Sequence, residues 1–362
     1  MAADRFATSR FRDNVYITWT IFDFSCGPQR VEYCASPIYF SRSSDGGVTW
    51  SRPLKISGSN PAVCDFGNLF RRSLPEHACN FDQGSFPTVG PDGTIYVVFN
   101  NSNTSRHAPV IDGVAQQLFV KSTDGGRTWS QPVKIGDDYQ TQPYSIPGHE
   151  IPGCPLFRPC LPPNSYRVDG DHFPSLGIDD RTGRLAAFWS DFRNGGPCAR
   201  ARLTGVFRVG SVPVPVEPCR NHNNDVFASV STNGGRTWGP TRRVSDGGVT
   251  AQWQQWGDVG ENGTIYVGYY DRKYNGCERT GCNDITLASS TNGVTWTHRR
   301  ITTGSMPNLT CTNNPNECGF LGDYMSTQVA AGAVHLAWGD TRGRQLGGVP
   351  EEDVYYARVT SG

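Results

Sequence analysis

Apolar and polar residues alternate in short runs along the whole chain, and clusters of Gly, Asn, Asp and Ser separate the runs. Ile38-Tyr39-Phe40-Ser41, Leu118-Phe119-Val120-Lys121, Val226-Phe227-Ala228-Ser229 and Ile285-Thr286-Leu287-Ala288 are four of them. Alternation over a few residues, bounded by turn formers, predicts half-buried β-strands. No stretch carries the 3.6-residue period of an amphipathic helix.

Each of these four runs leads into a repeated box. Ser43-Ser44-Asp45-Gly46-Gly47-Val48-Thr49-Trp50 recurs at 122–129 and 231–238, and in altered form at 289–296. The chemistry is that of a hairpin turn. Asp or Asn caps nearby backbone N–H groups, Gly permits positive φ, and Thr opens the next strand. The Trp is expected to pack between sheets, so the box is structural. A second hairpin precedes the later boxes. Phe86-Pro87-Thr88-Val89 turns through Pro91-Asp92-Gly93 into Thr94-Ile95-Tyr96-Val97-Val98. Phe173-Pro174-Ser175-Leu176 and Trp256-Gly257-Asp258-Val259 open the equivalent hairpins. Four strands per unit, repeated, predict an all-β propeller of four-stranded antiparallel blades.

About five blades are visible. The first shows Val15-Tyr16-Ile17-Thr18-Trp19 and later strands but no obvious inner strand, and the last shows strands at 325–329, 334–338 and 354–358 but no fourth. Either residues 1–12 supply the missing strand or an upstream blade has been cut away. Within a blade, the turn between strands one and two shares a rim with the box. The long connections share the opposite rim, where a binding site is expected.

The chain has 362 residues, with Lys+Arg 33 against Asp+Glu 33. That balance argues against a general nucleic-acid binder or a polybasic membrane-surface protein. No apolar run is long enough to span a membrane. All but Lys55, Lys121, Lys134 and Lys273 of the basic residues are arginine, which suits bidentate recognition of carboxylate or phosphate. The N-terminus shows no signal peptide, yet the Cys 12 fall in neighbouring pairs within the long connections. The pairs are Cys26/Cys34, Cys64/Cys79, Cys154/Cys160, Cys198/Cys219, Cys277/Cys282 and Cys311/Cys318, and six local disulfides in an oxidising compartment are expected. A secreted or extracytoplasmic chain that has lost upstream sequence reconciles both ends. No cofactor or metal is expected, since no Cys-x-x-Cys pair occurs.

The boxes, the Phe-Pro strand openings and the segment Gly319-Phe320-Leu321-Gly322-Asp323-Tyr324 resemble the bacterial BNR (Asp-box) repeat, sialidase-like proteins. The resemblance covers nearly the whole chain and implies one propeller domain over 1–362, with six blades in the intact family fold. It also implies a carbohydrate ligand, with an acidic sugar among the candidates, and a retaining hydrolase with a Tyr nucleophile and Asp acid/base groups. Tyr324 is the nucleophile candidate, with Tyr270 second. Asp323, Asp171 and Asp271 are the acid/base candidates. Strand two of three successive units ends in Asp191-Phe192-Arg193, Asp271-Arg272 and Asp340-Thr341-Arg342, so Arg193, Arg272 and Arg342 are the clamp candidates. The alternative is that each Arg pairs locally with its Asp. The Arg-Ile-Pro segment that supplies the first clamp arginine in that family is absent. His172 is expected to be structural, and Asp225, Asp284 and Asp353 are read as strand caps rather than calcium ligands. Two alternatives stand beside hydrolysis: a non-catalytic glycan- or protein-binding propeller, and another carbohydrate-active enzyme such as a polysaccharide lyase.

Overall fold

A computed structural model describes residues 1–25, 35–66, 76–105, 114–140, 160–161, 166–167, 172–195, 206–209, 212–215, 223–308, 320–343, 345–346, 349–350 and 352–360. Five antiparallel sheets follow one another as the blades of a propeller. Blade I holds β1 (Ala2–Ala3), β2 (Val15–Thr20), β3 (Ile38–Ser43) and β4 (Leu54–Lys55). Blade II holds β5 (Asp82–Val89), β6 (Ile95–Asn101), β7 (Val114–Ser122) and β8 (Val133–Tyr139). A small hairpin, β9 (Cys160–Leu161) and β10 (Tyr166–Arg167), follows. Blade III holds β11 (Ser175–Ile178) and β12 (Leu185–Asp191), then a hairpin of β13 (Val206–Val209) and β14 (Val212–Pro215), then β15 (Asp225–Ser231) and β16 (Arg242–Arg243). Blade IV holds β17 (Gln252–Val259), β18 (Ile265–Asp271), the one-turn helix α1 (Cys277–Thr280), β19 (Asp284–Ser290) and β20 (Thr297–Arg300). Blade V has three strands, β21 (Ser326–Ala330), β22 (Ala333–Asp340) and β25 (Asp353–Thr360), with the hairpin β23 (Gln345–Leu346) and β24 (Val349–Pro350) between the last two.

The missing inner strand of the first unit is β1, which pairs with Val15 and Tyr16. Beyond it, the N-terminal segment straps the box rim. Thr8 Oγ1 donates to Pro91 O (2.7 Å), Arg10 Nη2 donates to Thr123 O (3.1 Å), and Arg5 pairs with Asp180 of blade III (3.0 Å). Phe11 lies against both Gly93, in the turn between strands one and two of blade II, and Gly125, in its box. The two kinds of turn therefore share a rim, as the sequence requires.

The second strands β6, β12 and β18 are buried along their full length, because each is sandwiched between two neighbouring blades. That explains their near-continuous apolar composition. In β22 and β25 burial alternates instead, because only the face toward blade IV is covered. On the other face Val354 is 82% and Tyr356 60% exposed.

The boxes act as staples between blades. Ser43 Oγ accepts from Gly47 N (2.8 Å), while Asp45 accepts from the N–H and Oγ1 of Thr49 (2.9 and 2.5 Å). The hydroxyl bonds from Ser43 and Thr49 hold the Asp45 carboxyl down at about 2. The box at 122–129 then reaches back: Trp129 meets the Phe40 ring of blade I edge-on, with centroids 4.9 Å apart. Trp238 meets Phe119 of blade II in the same way at 5.5 Å. Gly126 and Gly235 have positive φ and sit under those same rings, where a Cβ would collide with Phe40 and Phe119. Trp296 packs into the core between blades III and IV. Trp50, whose box opens the series, has no such ring to hold and is 42% exposed.

Cys64–Cys79 and Cys277–Cys282 are bonded as expected, both in long connections, and Cys160 is also disulfide-bonded. The remaining cysteines lie outside the described residues. No described helix is long and apolar enough to cross a membrane.

Candidate functional site

The second strands of blades III, IV and V end in carboxylates that face other carboxylates. Asp191 lies opposite Asp225, Asp271 opposite Asp284, and Asp340 opposite Asp353 in the strand register. Like charges directly across a ladder destabilise it, so neutralising groups gather there. Asp225 pairs with Arg243 (2.5 Å) and accepts from Ser245 Oγ (2.8 Å) and Asn194 Nδ2 (2.7 Å). Asp284 pairs with Arg300 (2.8 Å) and accepts from Ser305 Oγ (2.6 Å). These two are ion-pair partners of strand-four arginines rather than the caps expected from sequence, whereas Asp353 is exposed. Among the described residues no group of His, Cys, Asp and Glu is placed to hold a metal.

The three clamp arginines are not equivalent. Arg193 and Arg342 stand two residues after their Asp, and each turns back onto it. Arg193 Nη2 lies 2.5 Å from Asp191 and Arg342 Nη2 2.7 Å from Asp340, with both carboxylates fully buried. Arg193 also stacks on Phe227 (4.3 Å) and donates to Asp137 O (2.6 Å), while Arg342 lies over Tyr355 (5.1 Å). Arg272 stands one residue after its Asp, so it falls on the opposite side of the chain and is buried, with Nε directed at Asn283 Oδ1 (3.3 Å). Lys273 takes the equivalent place: its N–H donates to Asp271 Oδ1 (3.0 Å), as those of Arg193 and Arg342 do to theirs. The three arginines share no partner among the described residues.

Other candidates are dispersed too. His172 is buried, its Nδ1 2.9 Å from Asp138 Oδ1, and that carboxylate also accepts from Asn100 and Gln140. Tyr270 is buried, stacks on Trp253 (4.6 Å) and donates to Gly339 O (2.8 Å). Asp271 is buried among Thr286 Oγ1 (2.7 Å) and Gln252 Nε2 (3.1 Å), and burial pushes its carboxyl up. Asp171 lies outside the described residues.

Tyr324 has different surroundings. It is 63% exposed and joins rings from three other blade elements at the axis, on the long-connection side. Trp256 of β17 meets it edge-on at 6.0 Å, and Phe173, just before β11, lies at 6.2 Å. Phe86 of β5 meets Trp256 edge-on at 5.3 Å from across the axis. Backbone irregularities place these rings. The ladder of β5 slips between Gln83 and Phe86, and that of β17 between Trp253 and Trp256. Bulges of this kind re-aim side chains. In β17 the two bulge glutamines hold the neighbouring ring-bearing segments: Gln254 Nε2 donates to Gly322 O (2.9 Å) and Gln255 Nε2 to Phe173 O (3.2 Å). Gly84 has φ of 63° and lies under Phe173, where a Cβ would collide with that ring. Burial pushes the Tyr324 hydroxyl up, and the Asp323 charge pushes it further. Sequence reasoning singled out Tyr324 but missed its aromatic company.

Below Phe86 and Trp256 the axis holds a cavity of about 400 Å³, lined by the inner strands of all five blades. Asp258 stands in its wall, accepting from Val259 N and, across the blade junction, from Val329 N (both 2.8 Å). Burial pushes its carboxyl up to about 6 against the pull of these amides. An ordinary aspartate titrates near ~4, so between these values the folded protein holds a proton that the unfolded chain has lost. This group's contribution to stability is therefore full below about pH 4 and lost as pH rises through about 6. Urea unfolding of Asp258→Asn from pH 4 to 7 should show a flatter stability profile over that window. An unchanged profile would remove Asp258 as the cause.

No family model matches this chain, and no curated protein matches it in sequence. Solved structures do match. A protein of unknown function from Dyadobacter fermentans DSM 18053 aligns over 96% of this chain and 76% of its own, at TM-score 0.50 and 12% identity. A Hadza microbial sialidase aligns over 91% of this chain and 53% of its own, at 0.41 and 15%. The GH93 alpha-L-arabinofuranosidase of Fusarium graminearum, in complex with arabinobiose, aligns over 78% of this chain and 63% of its own, at 0.42 and 13%. This chain thus spans about half the length of that sialidase. At such identities the likeness is one of fold alone: the chain is an all-β propeller.

Proposed function

We propose that this protein binds carbohydrate at the axial mouth, with Tyr324 and Trp256 as its stacking surface, and that it works outside the cytoplasm, where its disulfides persist. The observation that carries this reading is the cluster of Phe86, Phe173, Trp256 and Tyr324, gathered from four blades and bridged by two bulge glutamines. An aromatic face matches the C–H face of a pyranose or furanose, and partly exposed rings with polar neighbours are the usual lining of a ligand site. Tyr324→Ala should weaken glycan binding at least tenfold in calorimetric titration, about 1.4 kcal/mol, with little change in melting temperature. Undiminished affinity would move the site elsewhere.

A second reading, retaining hydrolysis with Tyr324 as nucleophile and Asp323 as its base, is favoured by one observation. The exposed hydroxyl has a carboxylate one residue away that acts on it. A phenol pushed up in this way stays protonated at neutral pH and needs such a base. Fluorogenic glycosides, a sialoside among them, separate the two readings: turnover abolished by Tyr324→Phe supports hydrolysis, and binding without turnover supports the binder.

A further inference from the structure

We infer that the outer face of blade V is a docking face for the first box of a second copy, so that copies associate head to tail. The joints inside the propeller show what such a face needs. In blade I, Phe40 of β3 stacks on Tyr16 of β2, its diagonal neighbour across the ladder, at 5.9 Å with the planes inclined by 25°. Blade II repeats the pair with Phe119 on Tyr96, at 5.9 Å and 27°. Each pair receives the following box: the box Trp meets Phe40 or Phe119 edge-on, and Gly126 or Gly235 lies under the same ring. A cation completes the joint. Arg42, opposite Tyr16, donates to Gly125 O, and Lys121, opposite Tyr96, donates to Gly234 O, both at 2.7 Å.

Blade V carries the same three groups in the same register. Tyr356 of β25 stacks on His335 of β22, its diagonal neighbour, at 5.9 Å and 29°, and Arg358 stands opposite His335. Tyr356 and Arg358 are exposed. The fold itself does not demand these groups, for in blade III the equivalent places hold Ala186, Ala228 and Val230. The complementary half is the box of blade I. A Cβ on Gly46 would meet nothing, one on Gly47 would meet only Trp50, and the exposed Trp50 donates its indole N–H to Gly47 O (3.0 Å). Within one chain both halves stay exposed. A second copy brings them together, with Trp50 edge-on to Tyr356, Gly47 beneath that ring and Arg358 on Gly46 O. Trp, Tyr and Arg are the residues that most often carry an interface. One copy contributes its first blade and the other its last, so the contact is heterologous and each copy keeps one half free for the next.

Sedimentation velocity of the full chain at rising concentration tests this. The wild type should associate, and Trp50→Ala and Tyr356→Ala should each weaken association at least tenfold. Both side chains are exposed, so the melting temperature of each variant should change little. Arg358→Glu, on the same face as Tyr356, should act in the same direction. Mixing the two aromatic variants is the decisive arm. Trp50→Ala keeps an intact blade V and Tyr356→Ala an intact first box, so together they should form a dimer that neither forms alone. A wild type that stays monomeric at every concentration overturns the inference, and the face on blade V then serves a box from another protein or none. Undiminished association of either aromatic variant overturns it as well. A mixture that stays monomeric, after both variants have lost association singly, overturns the head-to-tail arrangement in favour of a two-fold one.

Discussion

Trp129→Ala or Trp238→Ala should lower unfolding stability by about 3 kcal/mol, the lower end of the range for a buried aromatic because both rings are half-buried, whereas Trp50→Ala should cost less than about 1 kcal/mol, as surface changes do. All three residues occupy the same place in the same box, so the comparison isolates what the box touches. Trp129 and Trp238 press edge-on against Phe40 and Phe119, and their indole N–H groups find no acceptor, so alanine removes packing alone. Trp50 only donates to Gly47 O of its own turn (3.0 Å). The box glycines sharpen the contrast. Gly126→Ala and Gly235→Ala would push a methyl group into the preceding blade, while a Cβ at Gly47 would meet only the Trp50 ring. Chemical denaturation of the three Trp variants decides the matter. Equal losses at all three positions would mean that the box is stabilised within its own turn and that the contact with the neighbouring blade adds little.

Arg193→Ala should cost about 3–5 kcal/mol, because it leaves the fully buried Asp191 without its cation. Two further details raise the expected loss. The guanidinium makes a fork onto both carboxylate oxygens, and it lies over Phe227 and Tyr139. Lysine can supply the charge but neither the fork nor the flat stack, so Arg193→Lys should recover only part of the loss. Replacing both partners together, Asp191→Leu with Arg193→Met, should recover more than either single change, since no buried charge is then stranded. A single Arg193→Ala variant of unchanged stability would show that this arginine is not a structural tie and would return it to the list of ligand-binding groups.

The repeated hairpins were legible because each blade states its own turn chemistry. Ser43, Asp45, Gly47 and Thr49 form the box with bonds that span only a few residues. The three strands of the last sheet were legible from their own alternation. The ring cluster was not, because it joins Phe86 to Trp256 and Phe173 to Tyr324, pairs far apart in sequence that meet only when the inner strands converge. A signal existed in Gln254 and Gln255, two adjacent polar residues between Trp253 and Trp256 that break the strand's alternation and read as ordinary strand residues without the bulge. The clamp arginines show the opposite failure. Their positions look repeated by eye, but Arg272 follows its Asp by one residue and Arg193 and Arg342 by two. In an extended chain that single step reverses the side on which a side chain lies.

Every box after the first grips backward. The second blade's Trp holds the first blade, the third's holds the second, and the fourth's enters the core beside the third. Among the described residues no box Trp holds the fifth in this way. It stays in place through one shared apolar layer and through bonds that include Val329 N to Asp258, Tyr270 to Gly339 O and Thr341 to Pro307 O. Coupled repeats open from the end with the fewest neighbour contacts. The last blade should therefore come away as a unit while the other four remain latched, and amide exchange in β21, β22 and β25 should run ahead of that in β6, β12 and β18. Slower exchange there than in blade I would mean that the first blade is the loose end. The mouth straddles this boundary, since Tyr324 leads into the last blade and Trp256 belongs to the fourth. Sub-global opening of one sheet would thus dismantle the stacking surface without unfolding the propeller, and a bound sugar spanning the two rings would be what latches the final blade shut.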